Sequence, residues 1–233
     1  MIKFLKKLLP FLACMVLNGC GGSAQNPLPL RVSVYSDSIL SGSIKTGSGW
    51  LSPRPIERIA ALSNGALITV DHSVPGATVQ DVSAGVPGVP FGKFSKAIEA
   101  DPSRVLVLAY STAGALRFGD QPAAYETLLS TMITQALALG KTVVLVGSPW
   151  IASPIPSLSA ADSEAALRNI AAFDLSTRSI AAQHNLLFIN LRSLRPAQAA
   201  DMADEVHPAQ AYSELIAQLV AQALLKIHNH RGE

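Results

Sequence analysis

Residues 31–42 read Arg-Val-Ser-Val-Tyr-Ser-Asp-Ser-Ile-Leu-Ser-Gly, and the rest of the chain is organised around this stretch. A short apolar, β-branched run ends at Tyr35, which predicts a buried strand. The small polar residues Ser36, Asp37 and Ser38 follow at once, where such a strand would give way to a helix. A serine there exposes its hydroxyl at the carboxyl edge of a sheet, beside free backbone N–H groups. We therefore predict that Ser38 is a nucleophile, although Asp-Ser pairs also commonly cap helices.

A second polar stretch, Asp204-Glu-Val-His207-Pro208, lies far downstream. A serine hydroxyl becomes an effective nucleophile when a base takes its proton, and a carboxylate must hold that base in the right tautomer. His207 is suited to be the base, and Asp204 precedes it by about one turn of chain. The tetrahedral intermediate also needs N–H donors, for which Ser38 and Gly76 are the candidates. The alternative is that Asp204 and His207 only cap the final helix.

The start of the chain has the pattern of a secretion signal. Lysines precede an apolar run over residues 8–17, which is too short to span a bilayer. We therefore predict a signal peptide over residues 1–19. The motif Leu-Asn-Gly-Cys resembles the bacterial lipoprotein signal, in which Cys20 becomes the lipidated first residue, and residues 20–30 would form a tether. Ordinary cleavage near Gly19, giving a free secreted protein, is the alternative.

Composition and charge indicate an exported globular domain over residues 31–228. Hydrophobic residues make up 49% of the 233-residue chain and charged residues 15%, which is enough for a core. The net charge of +2 comes from the signal lysines, so nucleic acid is not an expected partner. The two cysteines, Cys14 and Cys20, leave the domain without a disulfide. Lipid chains on Cys20 would attach it to a membrane. Gly21 in place of aspartate favours the outer membrane, facing the periplasm.

Apolar runs and helical spacing alternate along the domain. Buried strands are predicted near residues 31–35, 66–70, 104–110, 142–146 and 186–190. Helices are predicted near residues 53–62, 79–82, 94–100, 121–139, 160–184 and 208–227, the last starting at Pro208, and residues 41–52 are predicted to be a loop. This order predicts a three-layer α/β/α sandwich with a mainly parallel sheet of about five strands. Ligand sites in such sheets lie at the carboxyl ends of strands.

Three short blocks resemble those of the SGNH/GDSL hydrolase family, over residues 31–225. The sequence Ser36-Asp37-Ser38-Ile39 resembles the first block, usually Gly-Asp-Ser, with Ser36 in place of the glycine. Gly76 resembles the glycine of the second block, whose N–H joins the oxyanion hole. The stretch from Asp204 to Pro208 is similar to the last block, Asp-x-x-His-Pro, and is the most specific of the three.

The resemblance implies a serine esterase in which Ser38, Asp204 and His207 form a catalytic triad. It implies Ser38 and Gly76 as N–H donors of the oxyanion hole, and no metal or cofactor. The implied substrate is an ester, with a small acyl or acetyl group carried by a small molecule, a lipid or a glycan.

The third block of the family is incomplete here. It is usually Gly-x-Asn-Asp, and its Asn side chain supplies an oxyanion donor. The equivalent stretch in this chain is Ser111-Thr112-Ala113-Gly114, and Ala113 has no donor to offer. Loss of one donor lowers a rate by about 10²–10³, so we predict a slow or altered enzyme and not a dead one. Ser111 or Thr112 could supply a replacement donor through its hydroxyl.

The sequence is also compatible with two other functions. A lipoprotein could keep the fold and use the cleft to bind a ligand or partner, and the incomplete third block favours this reading. A flavodoxin-like protein could cradle a phosphate in the Ser-rich turn after the first strand. The sequence has no His-Glu-x-x-His, no cysteine/histidine cluster and no Gly-x-Ser-x-Gly elbow, so it does not favour zinc-dependent or α/β-hydrolase chemistry.

Overall fold

The computed structural model describes residues 28–44, 49–117 and 121–230. The predicted signal peptide, Cys20 and most of the predicted tether lie outside these residues. The elements in chain order are β1 (Leu30–Ser36), α1 (Ser38–Ser41), β2 (Ser43–Ile44), β3 (Gly49–Trp50), α2 (Pro55–Leu62), β4 (Leu67–Asp71), α3 (Val79–Ala84), α4 (Phe94–Ala100), β5 (Val105–Ala109), α5 (Ser111–Leu116), α6 (Pro122–Ala138), β6 (Thr142–Val146), α7 (Ala160–Gln183), β7 (Leu187–Ile189) and α8 (Gln210–Asn229). Within the described ranges, no helix has the length and apolarity needed to cross a membrane.

Five strands form one sheet in the order β4-β1-β5-β6-β7, and every neighbouring pair is parallel. Parallel neighbours need a crossover connection, which places helices on the two faces of the sheet. The predicted three-layer α/β/α sandwich with a five-stranded parallel sheet is therefore confirmed. The short strands β2 and β3 pair antiparallel with each other, outside this sheet.

Two hydrophobic cores lie on opposite faces of the sheet. Alternate side chains of the central strand β5 enter different cores: Leu106 and Leu108 pack with α3, α4, α6 and α7, whereas Val105 and Val107 pack with α1, α2 and α8. All four side chains are at most 2% exposed. Burial on both faces is the physical reason why this strand reads as a continuous apolar run.

The predicted start of the final helix at Pro208 is wrong, because α8 begins at Gln210. Pro208 instead forms an isolated antiparallel bridge with Met202. The N–H of Ala209 donates to the carbonyl of Asp201 at 2.7 Å, and this contact keeps the chain extended up to the helix. The bridge closes the base of the loop that carries Asp204 and His207.

Two short elements were absent from the sequence prediction. Residues 111–116 form α5, where the sequence analysis had only a motif. The predicted loop over residues 41–52 contains the end of α1 and the β2–β3 pair. Both elements lie close to the carboxyl edge of the sheet, where the polar loops gather.

Candidate active site

Ser38 is the first residue of α1 and lies just beyond the carboxyl end of β1. The preceding residue, Asp37, caps this helix, since its carboxylate accepts the N–H of Ile39 at 3.0 Å. The N–H of Asp37 donates to the carbonyl of Ala109 at 2.9 Å, so the turn is tied to the end of β5 as well. These contacts hold Ser38 at the carboxyl edge of the two central strands, where its hydroxyl is partly exposed.

Asp204 and His207 lie in the loop between the bridged residues Met202 and Pro208. The Asp204 carboxylate accepts the backbone N–H groups of Val206 at 3.0 Å and His207 at 2.9 Å. The same carboxylate contacts Nδ1 of the His207 ring, at 2.9 Å from one oxygen and 2.8 Å from the other. The two side chains are 18% and 13% exposed, so water reaches this pair only at its rim.

The structure brings Ser38 to this pair across most of the chain length. Nε2 of His207 lies 2.9 Å from Oγ of Ser38, within hydrogen-bond distance. The imidazole therefore lies between a carboxylate on one side and a hydroxyl on the other. This geometry allows the ring to take a proton from the hydroxyl while the carboxylate holds its orientation.

Gly76 lies in the loop that follows β4 and runs beside the end of β1. The N–H of Val74 donates to the carbonyl of Ser36 at 2.8 Å, which brings the loop to the turn that carries Ser38. Gly76 has a φ of +72°, in the left-handed region that favours glycine. Among the described residues, none accepts a hydrogen bond from the N–H of Gly76 or from that of Ser38. Both groups are thus available to a ligand.

The third-block residues lie at the start of α5. The N–H of Ala113 donates to Oδ2 of Asp37 at 3.0 Å, so it is already engaged. The hydroxyls of Ser111 and Thr112 lie 2.8 Å and 3.2 Å from Oγ of Ser148, and all three side chains are buried. In this arrangement both hydroxyls contact Ser148, and their role as oxyanion donors stays a prediction.

Asp37 is the buried charge of the site. Its side chain is almost entirely buried, and burial raises the pKa of its carboxyl to about 6. The N–H donors of Ile39 and Ala113 and the nearby His207 ring oppose this effect. The sequence does not predict this role of Asp37, because its second hydrogen-bond partner, Ala113, lies on α5.

Two tryptophans that the sequence places in loops contact arginines. The ring of Trp50 is half exposed and lies under the guanidinium of Arg54, 5.7 Å from the ring centroid. Trp150 donates its indole N–H to the carbonyl of Arg192 at 3.0 Å, and the Arg192 guanidinium lies 4.6 Å from its ring centroid. Within the described ranges, no group of three or more metal-ligating side chains could hold a metal ion.

Solved structures that share this fold include bacterial lipases and acetylesterases. A lipase/acylhydrolase from Enterococcus faecalis is similar with a TM-score of 0.67 and 20% identity, covering 86% of this chain and 96% of that chain. Est24, a carbohydrate acetylesterase from Sinorhizobium meliloti, has a TM-score of 0.68 and 15% identity, covering 85% and 99%. A lipolytic protein of the G-D-S-L family from Desulfitobacterium hafniense has a TM-score of 0.65 and 12% identity, covering 83% and 98%.

At these identities the likeness shows a common fold. The sequence itself matches no protein-family model, and a search of curated proteins finds no match.

Proposed function

We propose that this chain is a serine ester hydrolase. Oγ of Ser38 attacks the ester carbonyl carbon while Nε2 of His207 accepts the hydroxyl proton, and Asp204 stabilises the resulting imidazolium. The tetrahedral intermediate collapses and expels the alcohol, which takes the proton from His207 and leaves the acyl group on Ser38. A water molecule, deprotonated by His207, then attacks the acyl carbon and releases the acid and the free serine. These steps need no metal and no cofactor.

The observation that supports this proposal most is the 2.9 Å distance from His207 Nε2 to Ser38 Oγ, with Asp204 on the other ring nitrogen. The N–H groups of Ser38 and Gly76 would stabilise the oxyanion. Ala113 supplies no side-chain donor, so we expect a weakened oxyanion hole and a low kcat.

A fluorophosphonate probe, which reacts with an activated serine, tests the proposal directly. We expect the purified protein to be labelled and to hydrolyse short p-nitrophenyl esters, and both activities to be lost in Ser38→Ala. Ser179→Ala changes an exposed serine on α7 and is the matched control, with labelling unchanged. Absence of labelling and of hydrolysis in the unmodified protein would refute the proposal.

One of the similar folds supports a proposal for the substrate class. Est24 is a carbohydrate acetylesterase, so we propose that this chain removes small acyl or acetyl groups from a glycan, a lipid or another small molecule. We also propose that the protein is exported and anchored in the bacterial envelope through lipid chains on Cys20. Membrane attachment would then come from the anchor, and the domain would remain free to meet its substrate.

A binding lipoprotein is the second candidate, and one observation favours it. Ala113 has no side-chain donor, and its backbone N–H already donates to Asp37, so Ala113 offers no donor to an oxyanion. In that case the cleft would hold an ester without cleaving it. Saturable binding of an acetylated oligosaccharide, with neither hydrolysis nor probe labelling, would favour this candidate over the hydrolase.

A further inference from the structure

The loop that carries Gly76 is fixed at its start by contacts with β1. The N–H of Val74 donates to the carbonyl of Ser36, and Oγ of Ser36 lies 2.7 Å from Oγ of Ser73. Ser36 stands where the resembling family has glycine, so the second contact depends on a side chain particular to this sequence. Within the loop, the N–H of Ala77 donates to the carbonyl of Val74 at 3.0 Å.

The space on the Cβ side of Gly76 is open. A side chain built on Gly76 would meet nothing within 4 Å, so the residue lies against open space. Its carbonyl, in contrast, accepts a hydrogen bond from Nη1 of Arg117 at 3.2 Å. Hydrogen bonds from Arg117 and within the loop therefore restrain the backbone at Gly76.

Arg117 is itself held in place by a second partner. The same guanidinium nitrogen lies 2.5 Å from Oδ2 of Asp81, and this oxygen also accepts the N–H and hydroxyl of Thr78 at 2.8 and 2.9 Å. Thr78 and Asp81 form the capping box at the start of α3. Arg117 follows directly after α5, so it links the end of α5, the start of α3 and the carbonyl of Gly76.

We propose that Arg117 is a positioning residue that holds Gly76 so that its N–H points at the oxyanion. The inference rests on the proposed hydrolase function and deepens it. Because Ala113 brings no side-chain donor and the hydroxyls of Ser111 and Thr112 contact Ser148, the N–H groups of Ser38 and Gly76 would carry most of the oxyanion stabilisation. Ser38 is fixed by the cap of α1, whereas the Cβ side of Gly76 is open and its carbonyl is held by Arg117.

The contact between Arg117 and the Gly76 carbonyl would lower the energy of the transition state more than that of the bound substrate. Negative charge develops on the carbonyl oxygen only as the tetrahedral centre forms, so a misplaced N–H donor raises the barrier without weakening substrate binding. Removing one oxyanion donor costs about 10²–10³ in kcat, so loosening one is expected to lower kcat by roughly tenfold. KM should stay within about twofold of the unmodified enzyme.

The test compares Arg117→Ala with Arg168→Ala, which removes an exposed arginine paired with Glu164 on α7. For Arg117→Ala we expect the tenfold fall in kcat on a p-nitrophenyl ester with KM retained. We expect an equal loss of affinity for a phenylboronic acid, which adds to a serine hydroxyl and resembles the tetrahedral intermediate. Arg117→Lys keeps a cation beside Asp81 and should give an intermediate kcat, which keeps the test valid if the alanine variant folds poorly. Arg168→Ala should leave all three quantities unchanged.

The outcomes distinguish a failure of the proposed hydrolase function from a failure of the positioning role of Arg117. An unmodified protein without hydrolysis or fluorophosphonate labelling would refute the hydrolase itself. An active enzyme whose kcat and boronic acid affinity are unchanged in folded Arg117→Ala and Arg117→Lys would refute the positioning role alone. A raised KM with unchanged kcat would also refute it, because Arg117 would then act in substrate binding.

Discussion

Asp37 and Ser38 are neighbours in the chain, yet their side chains have opposite surroundings. The carboxylate of Asp37 points inward and joins the starts of α1 and α5 through the N–H groups of Ile39 and Ala113. The hydroxyl of Ser38 points toward His207 at the partly exposed edge. The Asp-Ser pair thus supplies a helix cap and a candidate nucleophile from adjacent residues.

The raised pKa of Asp37 predicts a pH-dependent stability. Its carboxyl has a pKa of about 6 in the folded protein, against an ordinary value near 3.8, so the folded state binds the proton more tightly. This contribution to the free energy of unfolding is fully present below about pH 4 and is lost as pH rises through about 6. At about 1.4 kcal/mol per pKa unit, it amounts to roughly 3 kcal/mol.

Asp37→Asn provides the matched comparison, because the amide does not titrate. We expect the free energy of unfolding of the unmodified protein, relative to Asp37→Asn, to be larger at pH 4.5 than at pH 7.5. Urea denaturation at the two pH values measures this difference, and titrating groups that do not interact with Asp37 cancel in it. A difference that is constant or grows with pH would contradict the prediction.

The hydroxyls of Ser111 and Thr112 can be tested as a third donor to the oxyanion. Each contacts Ser148 and would have to turn away from it to reach an oxyanion. If one of them is a third donor, Ser111→Ala or Thr112→Ala should lower kcat by about 10²-fold at unchanged KM. Ser148→Ala removes their shared partner, keeps both hydroxyls and should retain kcat. Unchanged kcat in both alanine variants would exclude the role.

Among the elements, the inner strands β1, β5 and β6 were predictable from the sequence because they are buried on both faces of the sheet. A continuous apolar run such as that of β5 is typical of a strand in a parallel sheet that helices cover on both faces. The short helix α5 was not predictable, since Ser-Thr-Ala-Gly-Ala-Leu has no amphipathic stripe and contains a glycine. Its start is fixed by the carboxylate of Asp37, which comes from a distant part of the chain.

The candidate site was predictable only in part, because its geometry also depends on residues that are far apart in the chain. Motifs identify Ser38, Asp204 and His207 as residue types with the right local spacing, but the distance from Ser38 to His207 depends on the whole fold. The sequence alone does not indicate a role for Arg117. Its partner Gly76 is far away in the chain, and an arginine after a short helix has no local pattern that distinguishes it from a solvated side chain.

Gly147 directly follows β6, and a side chain at this position would overpack its surroundings and destabilise the fold. A Cβ atom at Gly147 would lie 2.2 Å from Oδ1 of Asp174 and 2.8 Å from the Phe188 ring. The same Asp174 oxygen accepts the N–H of Ser148 at 2.9 Å, so Gly147→Ala must displace a buried hydrogen bond. We expect it to lower the free energy of unfolding by about 1–3 kcal/mol.

A double-mutant cycle identifies the cause of this loss. With Asp174→Ala the nearest obstacle is gone, and adding Gly147→Ala should then cost less than it does in the unmodified protein. Chemical denaturation of the four proteins gives the coupling. Equal costs in both backgrounds would show that the contact with Asp174 is not what excludes a side chain at this position.

The domain depends on its two hydrophobic cores for stability and has no disulfide, because both cysteines precede it in the sequence. One of them, Cys20, is predicted to carry the lipid. Expression in a bacterial host with an alkyne analogue of palmitate should therefore label the full chain. Cys20→Ser should abolish the label, and Cys14→Ser is the matched control that should keep it. Equal labelling in the two variants, or none in the unmodified chain, would contradict a lipid anchor at Cys20.

The contact between Leu28 and His228 has a practical consequence. His228 Nε2 lies 3.2 Å from the Leu28 carbonyl, so the first and last parts of the domain leave it side by side, at the end of β1 opposite to Ser38. A bead or electrode surface coupled next to Leu28 or His228 would leave the edge that carries Ser38 and His207 turned toward the solution. Immobilised preparations made from the two ends should therefore differ little in turnover.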